Sequence, residues 1–301
     1  MASPEAARIR AELFPSRGVS IGSVEDWRER ELKGSEAQVV TAGITVTAAD
    51  VGGVRSEWLC ASPRPSARTV LYLHGGGYVV GNCATHRALV ARLAIAAQAR
   101  ALLPEYRLAP EHPFPAAVED AVATYDALLE LGVDPSMLTV AGDSAGAGLC
   151  AALLQSLRDA RKPLPALAVL ICPWLDLTLS GDSYHSRAEL DPIDRLPALR
   201  CMARHYVGDG DASNPLASPL FGDPRGLPPL LIQVGDHETL LDDSCRFAAK
   251  AKAAGVDVEL EVWPQMWHVW HAAAPALPEA NLAISRIGEY VRERLPGGKR
   301  P

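Results

Sequence analysis

A serine held between two glycines is the first residue in this chain that could do chemistry. Residues 142–146 read Gly-Asp-Ser-Ala-Gly, a G-x-S-x-G pentapeptide around Ser144. An apolar, β-prone run at 137–141 precedes it, and an Ala/Leu-rich helical run at 147–160 follows. A serine on a tight strand-to-helix turn has its hydroxyl lifted clear of the backbone at the C-terminal edge of a sheet. The flanking glycines let strand and helix pass closely. Such a hydroxyl is a candidate nucleophile for acyl transfer. In a chain with 24 glycines the pentapeptide still needs a base, an acid and an oxyanion hole to support it.

The second signal is His74-Gly75-Gly76-Gly77, directly after an apolar strand candidate at 69–73. Three consecutive glycines free the backbone to aim N–H groups into a cleft, where they would stabilise a developing oxyanion. A phosphate-binding loop would continue with Lys-Ser/Thr, and Tyr78-Val79-Val80 stands there instead. A partial dinucleotide match at Gly146, Gly148 and Ala151 fails because its glycines lie within the helical run and no acid ends the next strand.

Of the eight histidines, His268 is the best candidate base. It follows the late strand candidate 258–263 after a short loop, so it can reach the serine turn from the same sheet edge. His271 is its main competitor. His74 reads as an anchor of the glycine loop, and His86, His112, His185, His205 and His237 as polar surface or lid residues. The acid that orients the base should follow the preceding strand, 230–234, where the loop offers Asp236, Glu238, Asp242 and Asp243. Asp242 and Asp243 open the next helix, where carboxylates are favoured anyway. Spacing alone does not separate Asp236 from Glu238.

These residues need a scaffold that brings distant loops to one edge. Strand candidates fall at 38–47, 54–61, 69–73, 101–105, 138–141, 167–171, 230–234 and 258–263, the first two forming a hairpin. Helix candidates fall between the later ones, at 85–98, 116–131, 147–160 and 242–254, with a last one near 279–295. This alternation predicts an α/β fold, a mostly parallel sheet with helices on both faces. Residues 1–37 look helical and charged, with too little apolar surface to fold alone. Residues 176–226, rich in Asp, Pro and Ser with one helix candidate at 197–206, interrupt the pattern and are expected to form a lid over the site.

Composition narrows the alternatives. The chain has 301 residues, is 48% apolar and carries a formal charge of −7 without a Lys/Arg cluster, which argues against nucleic-acid binding. Its longest apolar stretch is cut by Pro165, Pro173 and Asp176, so no membrane span is expected. The first residues lack a hydrophobic signal core, and the six cysteines are scattered without a C-x-x-C pair. Reduced thiols in a cytoplasmic protein are the expectation. No metal or cofactor is expected, since no cluster shows metal-ligand spacing.

Taken together, the His74–Gly77 block, the GDSAG turn, the segment Tyr106-Arg-Leu-Ala-Pro-Glu-His-Pro-Phe-Pro-Ala116, the acid loop and Trp263-Pro-Gln-Met-Trp-His268 resemble the hormone-sensitive lipase family of α/β-hydrolases, bacterial carboxylesterase branch. The resemblance runs from about residue 40 onward and implies an eight-stranded α/β-hydrolase fold. It also implies domain bounds: a catalytic domain of 38–175 and 227–301, capped by 1–37 and the 176–226 insert. Where such proteins carry Asp-Pro-Leu-x-Asp this chain has Glu238-Thr-Leu-Leu-Asp242, so Glu238 matches the catalytic acid, with Glu replacing the usual Asp. The implied activity is hydrolysis of short- to medium-chain acyl esters. Ser144 would be nucleophile, His268 base and Glu238 its orienting acid, with the N–H groups of Gly76, Gly77 and Ala145 as the oxyanion hole. Amide and lactone cleavage share this chemistry. A receptor on the same fold, as in plant gibberellin receptors, lacks the histidine present here at 268. A lipase working at an oil–water interface would want a less polar insert. Homodimers through the last strand are common among such proteins, so the partners expected are a small ester and a second copy.

Overall fold

The alternating pattern becomes eight strands and nine helices in the computed structural model, which describes residues 2–15, 22–36, 39–61 and 66–296. In chain order these are α1 (Pro4–Leu13), α2 (Val24–Glu36), β1 (Thr45–Val51), β2 (Val54–Cys60), β3 (Thr69–Leu73), α3 (Cys83–Ala97), β4 (Arg100–Pro104), α4 (Ala116–Glu130), β5 (Leu138–Asp143), α5 (Ala145–Asp159), β6 (Leu167–Ile171), α6 (Ser183–Ser186), α7 (Leu196–Val207), β7 (Leu230–Gly235), α8 (Leu241–Ala253), β8 (Val258–Trp263) and α9 (Pro278–Arg294). They build one sheet in the order β1-β2-β4-β3-β5-β6-β7-β8. β1, β2 and β4 pair antiparallel, and the ladders from β4 to β8 are parallel.

Both faces of the parallel part are covered, which is why β3, β5, β6 and β7 are buried throughout. Side chains on alternate positions go to opposite faces. Leu71 and Leu73 of β3 join Ala168 and Leu170 of β6 in one core with α4, α5 and α8. Val70 and Tyr72 join Val169 and Ile171 in the other, beneath α3 and α9. The β1–β2 hairpin closes through Gly52 and Gly53, both at positive φ (68° and 77°), as a tight two-residue turn requires.

The first strand departs from expectation. It begins at Thr45 rather than 38 and runs on to Val51. Residues 42–43 form a turn with Gly43 at φ 87°, and Val40 and Ile44 are spent packing against the α3–α9 layer. The first residue of the expected strand, at position 38, lies outside the described residues.

The insert between β6 and β7 crosses the C-terminal edge of the sheet, the edge that carries the serine turn. α7 lays Tyr206 flat against Tyr78 of the glycine loop, ring centroids 3.8 Å apart. The N-terminal helices reach the same region. Arg10 of α1 donates to Leu190 O in the insert (2.7 Å), and Arg28 of α2 donates to Val79 O (3.0 Å) behind the glycines.

Candidate active site

β5 ends at Asp143 and α5 begins at Ala145, so Ser144 makes the whole connection. It does so at φ 54°, ψ −124°. Its N–H donates to Ile171 O (2.9 Å), and its carbonyl accepts from Trp174 N (3.0 Å) and Gly148 N (3.1 Å). The two glycines of the pentapeptide have steric reasons. A Cβ at Gly142 would lie 2.5 Å from Leu73 O, and one at Gly146 would strike the carbonyls of Leu73 and His74. Although Ser144 precedes the helix, its side chain caps nothing, which leaves the hydroxyl unspent. Helix α5 starts earlier than the 147–160 run suggests. The Ala145 N–H is therefore one of the first-turn donors that a helix leaves without an internal acceptor.

The glycine loop sits beside this turn. Gly76 and Gly77 have φ 113° and 61°, conformations closed to most side chains, and Gly77 faces Met202 of α7. Asp143 holds the loop from below. Its Oδ1 accepts from the Tyr72 hydroxyl (2.7 Å) and the Gly75 N–H (3.1 Å), and its Oδ2 lies 3.4 Å from His86 Nε2. Burial works against this carboxylate, but His86 and Tyr72 outweigh it and hold Asp143 at about 2. His86 is thus no surface residue, a correction to the sequence reading. It lies within the loop's buried support, and Asp143 raises it against the opposing effect of burial. His74 anchors the loop as expected. It is fully buried and stacked on Tyr106, whose hydroxyl donates to His74 O (2.6 Å). Burial drives its pKa down to about 3.

His268 follows β8 on a loop pinned at several points. Met266 O accepts from His237 N (3.1 Å), Val269 N donates to Cys172 Sγ (3.3 Å), and His271 Nε2 meets Gln233 Oε1 at 2.7 Å. That last contact and full burial make His271 a packing residue with its pKa lowered to about 3. His268 turns Nδ1 toward carboxylates, which leaves Nε2 for the serine side. Among the described residues no hydrogen bond joins Ser144 Oγ to the imidazole; such contacts commonly tighten only with substrate bound.

The acid loop separates its candidates. Glu238 is fully buried, with Oε1 3.8 Å from His268 Nδ1 and Oε2 accepting from Gly235 N (3.3 Å). Asp236 faces the other way, accepting from Gln265 N and lying 3.8 Å from His237. Asp242 and Asp243 do more than favour a helix start. Asp243 accepts from Leu175 N (2.8 Å) and Asp176 N (2.9 Å), and Asp242 from Ser183 N (2.9 Å), so both anchor the insert.

Sequence reasoning missed Asp194. From the insert it brings Oδ2 to 3.5 Å from His268 Nδ1, nearer than Glu238. Its neighbour Asp191 accepts from Thr239 N (3.0 Å) and ties the insert to the acid loop. Nothing in the local pattern marks these two among the insert's many acids. Burial lowers the His268 pKa, but Asp194, Glu238 and Asp191 overcome it and push the imidazole up to about 10. Burial, helped by Asp194 and opposed by His268, pushes Asp191 up to about 7.

Cys172, Glu238 and His268 have donor atoms within 4.8 Å of one another, a spacing that could suit a small cation. The thiol is pushed well up by burial and then by Glu238, so it stays protonated and is a poor ligand. Two cavities, of about 720 and 390 Å³, lie under residues 39–42 and behind the glycine loop, and neither is lined by Ser144 or His268. All six cysteines are free, and among the described residues no helix is long and apolar enough to cross a membrane.

Comparison with known proteins points one way. The family described as alpha/beta hydrolase fold matches residues 70–272. An acetyl-hydrolase of Streptomyces hygroscopicus is 46% identical over 295 residues, 97% of each chain. An esterase of Acinetobacter venetianus is 38% identical over 241 residues, 80% of this chain and 79% of that one. Among solved structures, an esterase from the bacterial hormone-sensitive lipase family superposes with a TM-score of 0.95 at 44% identity, covering 98% of this chain and 99% of that one.

Proposed function

This chain belongs to the hormone-sensitive lipase family of α/β-hydrolases and is a carboxylesterase; from that premise we propose that Ser144, His268 and Glu238 cleave short- to medium-chain acyl esters through an acyl-enzyme. The observation that carries the assignment is the backbone of Ser144. A non-glycine residue at φ 54°, ψ −124° is strained, and here that strain presents an uncommitted hydroxyl at the sheet edge shared by His268 and Glu238.

In this reading His268 Nε2 takes the proton from Ser144 as Oγ attacks the ester carbonyl. The N–H groups of Gly76, Gly77 and Ala145 receive the oxyanion, and Glu238 stabilises the imidazolium at Nδ1. His268 then returns the proton to the leaving alcohol, and water repeats the sequence on the acyl-enzyme. Asp143 contributes indirectly by holding Gly75 and hence the donor loop. The N-terminal segment 1–37 and the insert 176–226 together act as a cap that shapes the acyl pocket, since both contact the glycine loop or the acid loop. Cytoplasmic location and pairing through β8 into a homodimer complete the proposal; β8 is one of the two edge strands of the sheet in the monomer.

Ser144→Ala tests the assignment. Hydrolysis of p-nitrophenyl acyl esters should disappear, as should labelling by an organophosphate, while the fold survives. Turnover near the wild-type rate in that variant would overturn it. An acyl series from acetyl to long chains checks the substrate class, with activity falling beyond medium chains.

A further inference from the structure

The imidazole of His268 faces two carboxylates, and they come from different parts of the chain. Glu238 rides on the loop after β7, part of the sheet scaffold. Asp194 rides on the insert, two residues before α7. Their distances to Nδ1 are 3.8 and 3.5 Å. Glu238 Oε1, Asp194 Oδ2 and His268 Nδ1 are all buried, and none has a hydrogen-bond partner. One N–H therefore lies between two buried carboxylates, Glu238 shared with the neighbouring Cys172 thiol and Asp194 turned to the imidazole. Burying an unpaired carboxylate oxygen is costly, so the pair is stable only with the imidazole proton between them.

Asp194 is also held in place. Asp191 Oδ1 accepts from Ile193 N (2.9 Å) and Asp194 N (3.2 Å), which fixes the turn that carries Asp194. Asp191 Oδ2 accepts from Thr239 N, the residue next to Glu238. A single side chain thus sets the spacing between the two acids. The other ionisable groups near the ring do not compete for Nδ1. Cys172 is a buried thiol kept protonated, His271 is neutral and bound to Gln233, and Asp143 is engaged by Tyr72, Gly75 and His86.

We infer that Asp194 is a positioning residue that shares the Nδ1–H of His268 with Glu238, so that the insert supplies part of the base's anionic support. The inference rests on the reading of His268 as the base. It gives the insert a part in the chemistry as well as in pocket shape. If the insert moves away, the imidazolium keeps only the more distant acid.

Kinetics of p-nitrophenyl butyrate hydrolysis would test this in wild type, Asp194→Asn, Asp194→Glu, Glu238→Gln and the Glu238→Gln/Asp194→Asn pair. Removing one of two neighbouring charges should lower the acid limb of the kcat/KM profile by about one pH unit and kcat by about tenfold, with KM nearly unchanged. Asp194→Glu should restore part of both. Glu238→Gln should retain measurable turnover that the double variant loses by a further tenfold or so, because Asp194 still accepts the N–H. An Asp194→Asn limb at the wild-type position with kcat within about twofold would overturn the inference, as would a double variant no slower than Glu238→Gln. Organophosphate labelling of Ser144 in each variant separates a misfolded site from a weakened base. Turnover surviving in Ser144→Ala would bring down the triad reading and this inference together, whereas a silent Asp194→Asn beside a dead Ser144→Ala would refute Asp194 alone.

Discussion

Replacing Ser144 by glycine should leave a more stable protein than replacing it by alanine, although both variants remove the proposed nucleophile. The reason is the backbone at φ 54°, ψ −124°. Three hydrogen bonds compel it: Ser144 N to Ile171 O, and the Ser144 carbonyl to Trp174 N and Gly148 N. A residue with a Cβ pays about 1–3 kcal/mol in such a region, and the upper end applies because ψ lies far from the left-handed helical well. Alanine keeps that strain. Glycine sheds it, but loses about 0.5–1 kcal/mol of unfolded-state entropy and about 0.8 kcal/mol for the buried methyl. The balance favours glycine by about 1 kcal/mol. At about 2.1 cal/mol/K of unfolding entropy per residue, a chain this long shifts its Tm by roughly 1.5 °C per kcal/mol. Calorimetry and urea unfolding of the two inactive variants, side by side, should therefore place Ser144→Gly about 1–2 °C higher, with a matching rise in urea midpoint. A glycine variant that melts at or below the alanine variant would refute the strained-turn argument.

Three further outcomes are expected. Since nearby carboxylates raise His268 to about 10, the neutral base forms only at higher pH; the acid limb of kcat/KM should lie above the ordinary histidine value of about 6.5, and a limb at or below it would contradict the site's electrostatics. Glu238→Gln should reduce kcat far more than Asp236→Asn, because only Glu238 faces the imidazole; the reverse order in steady-state assays would return the acid to Asp236. Asp143→Asn should cost about 2 kcal/mol at pH 7, the equivalent of a carboxylate held at about 2 instead of 3.8. A depressed pKa contributes stability above the unfolded value and loses it as pH falls through the folded one. The gap between variant and wild type in urea unfolding should therefore narrow below pH 3.8, and a constant gap would place its origin elsewhere.

Much of this fold was legible because its strands are short apolar runs buried on both faces, separated by Ala/Leu-rich helices. The twelve later elements that periodicity suggests, from β3 onward, all lie within two residues of their expected boundaries. The exception, β1, lies at an exposed edge, where apolar residues such as Val40 and Ile44 pack outside the sheet and mislead a strand reading. His86 was misread for a related reason. A lone histidine in a helical stretch carries no local sign that a buried aspartate waits 57 positions away.

What the sequence determined by itself is the chemistry carried by local backbone demands. The serine turn and the glycine loop need particular residues at adjacent positions, so their types and spacing announce them. Only tertiary structure turns Glu238, and not Asp236, toward His268, since two acids two residues apart point to opposite sides of one loop. Asp194 was decided there entirely. It reaches His268 across 74 positions of chain through the fold of a polar insert, and a through-space contact between charges leaves no periodicity to read.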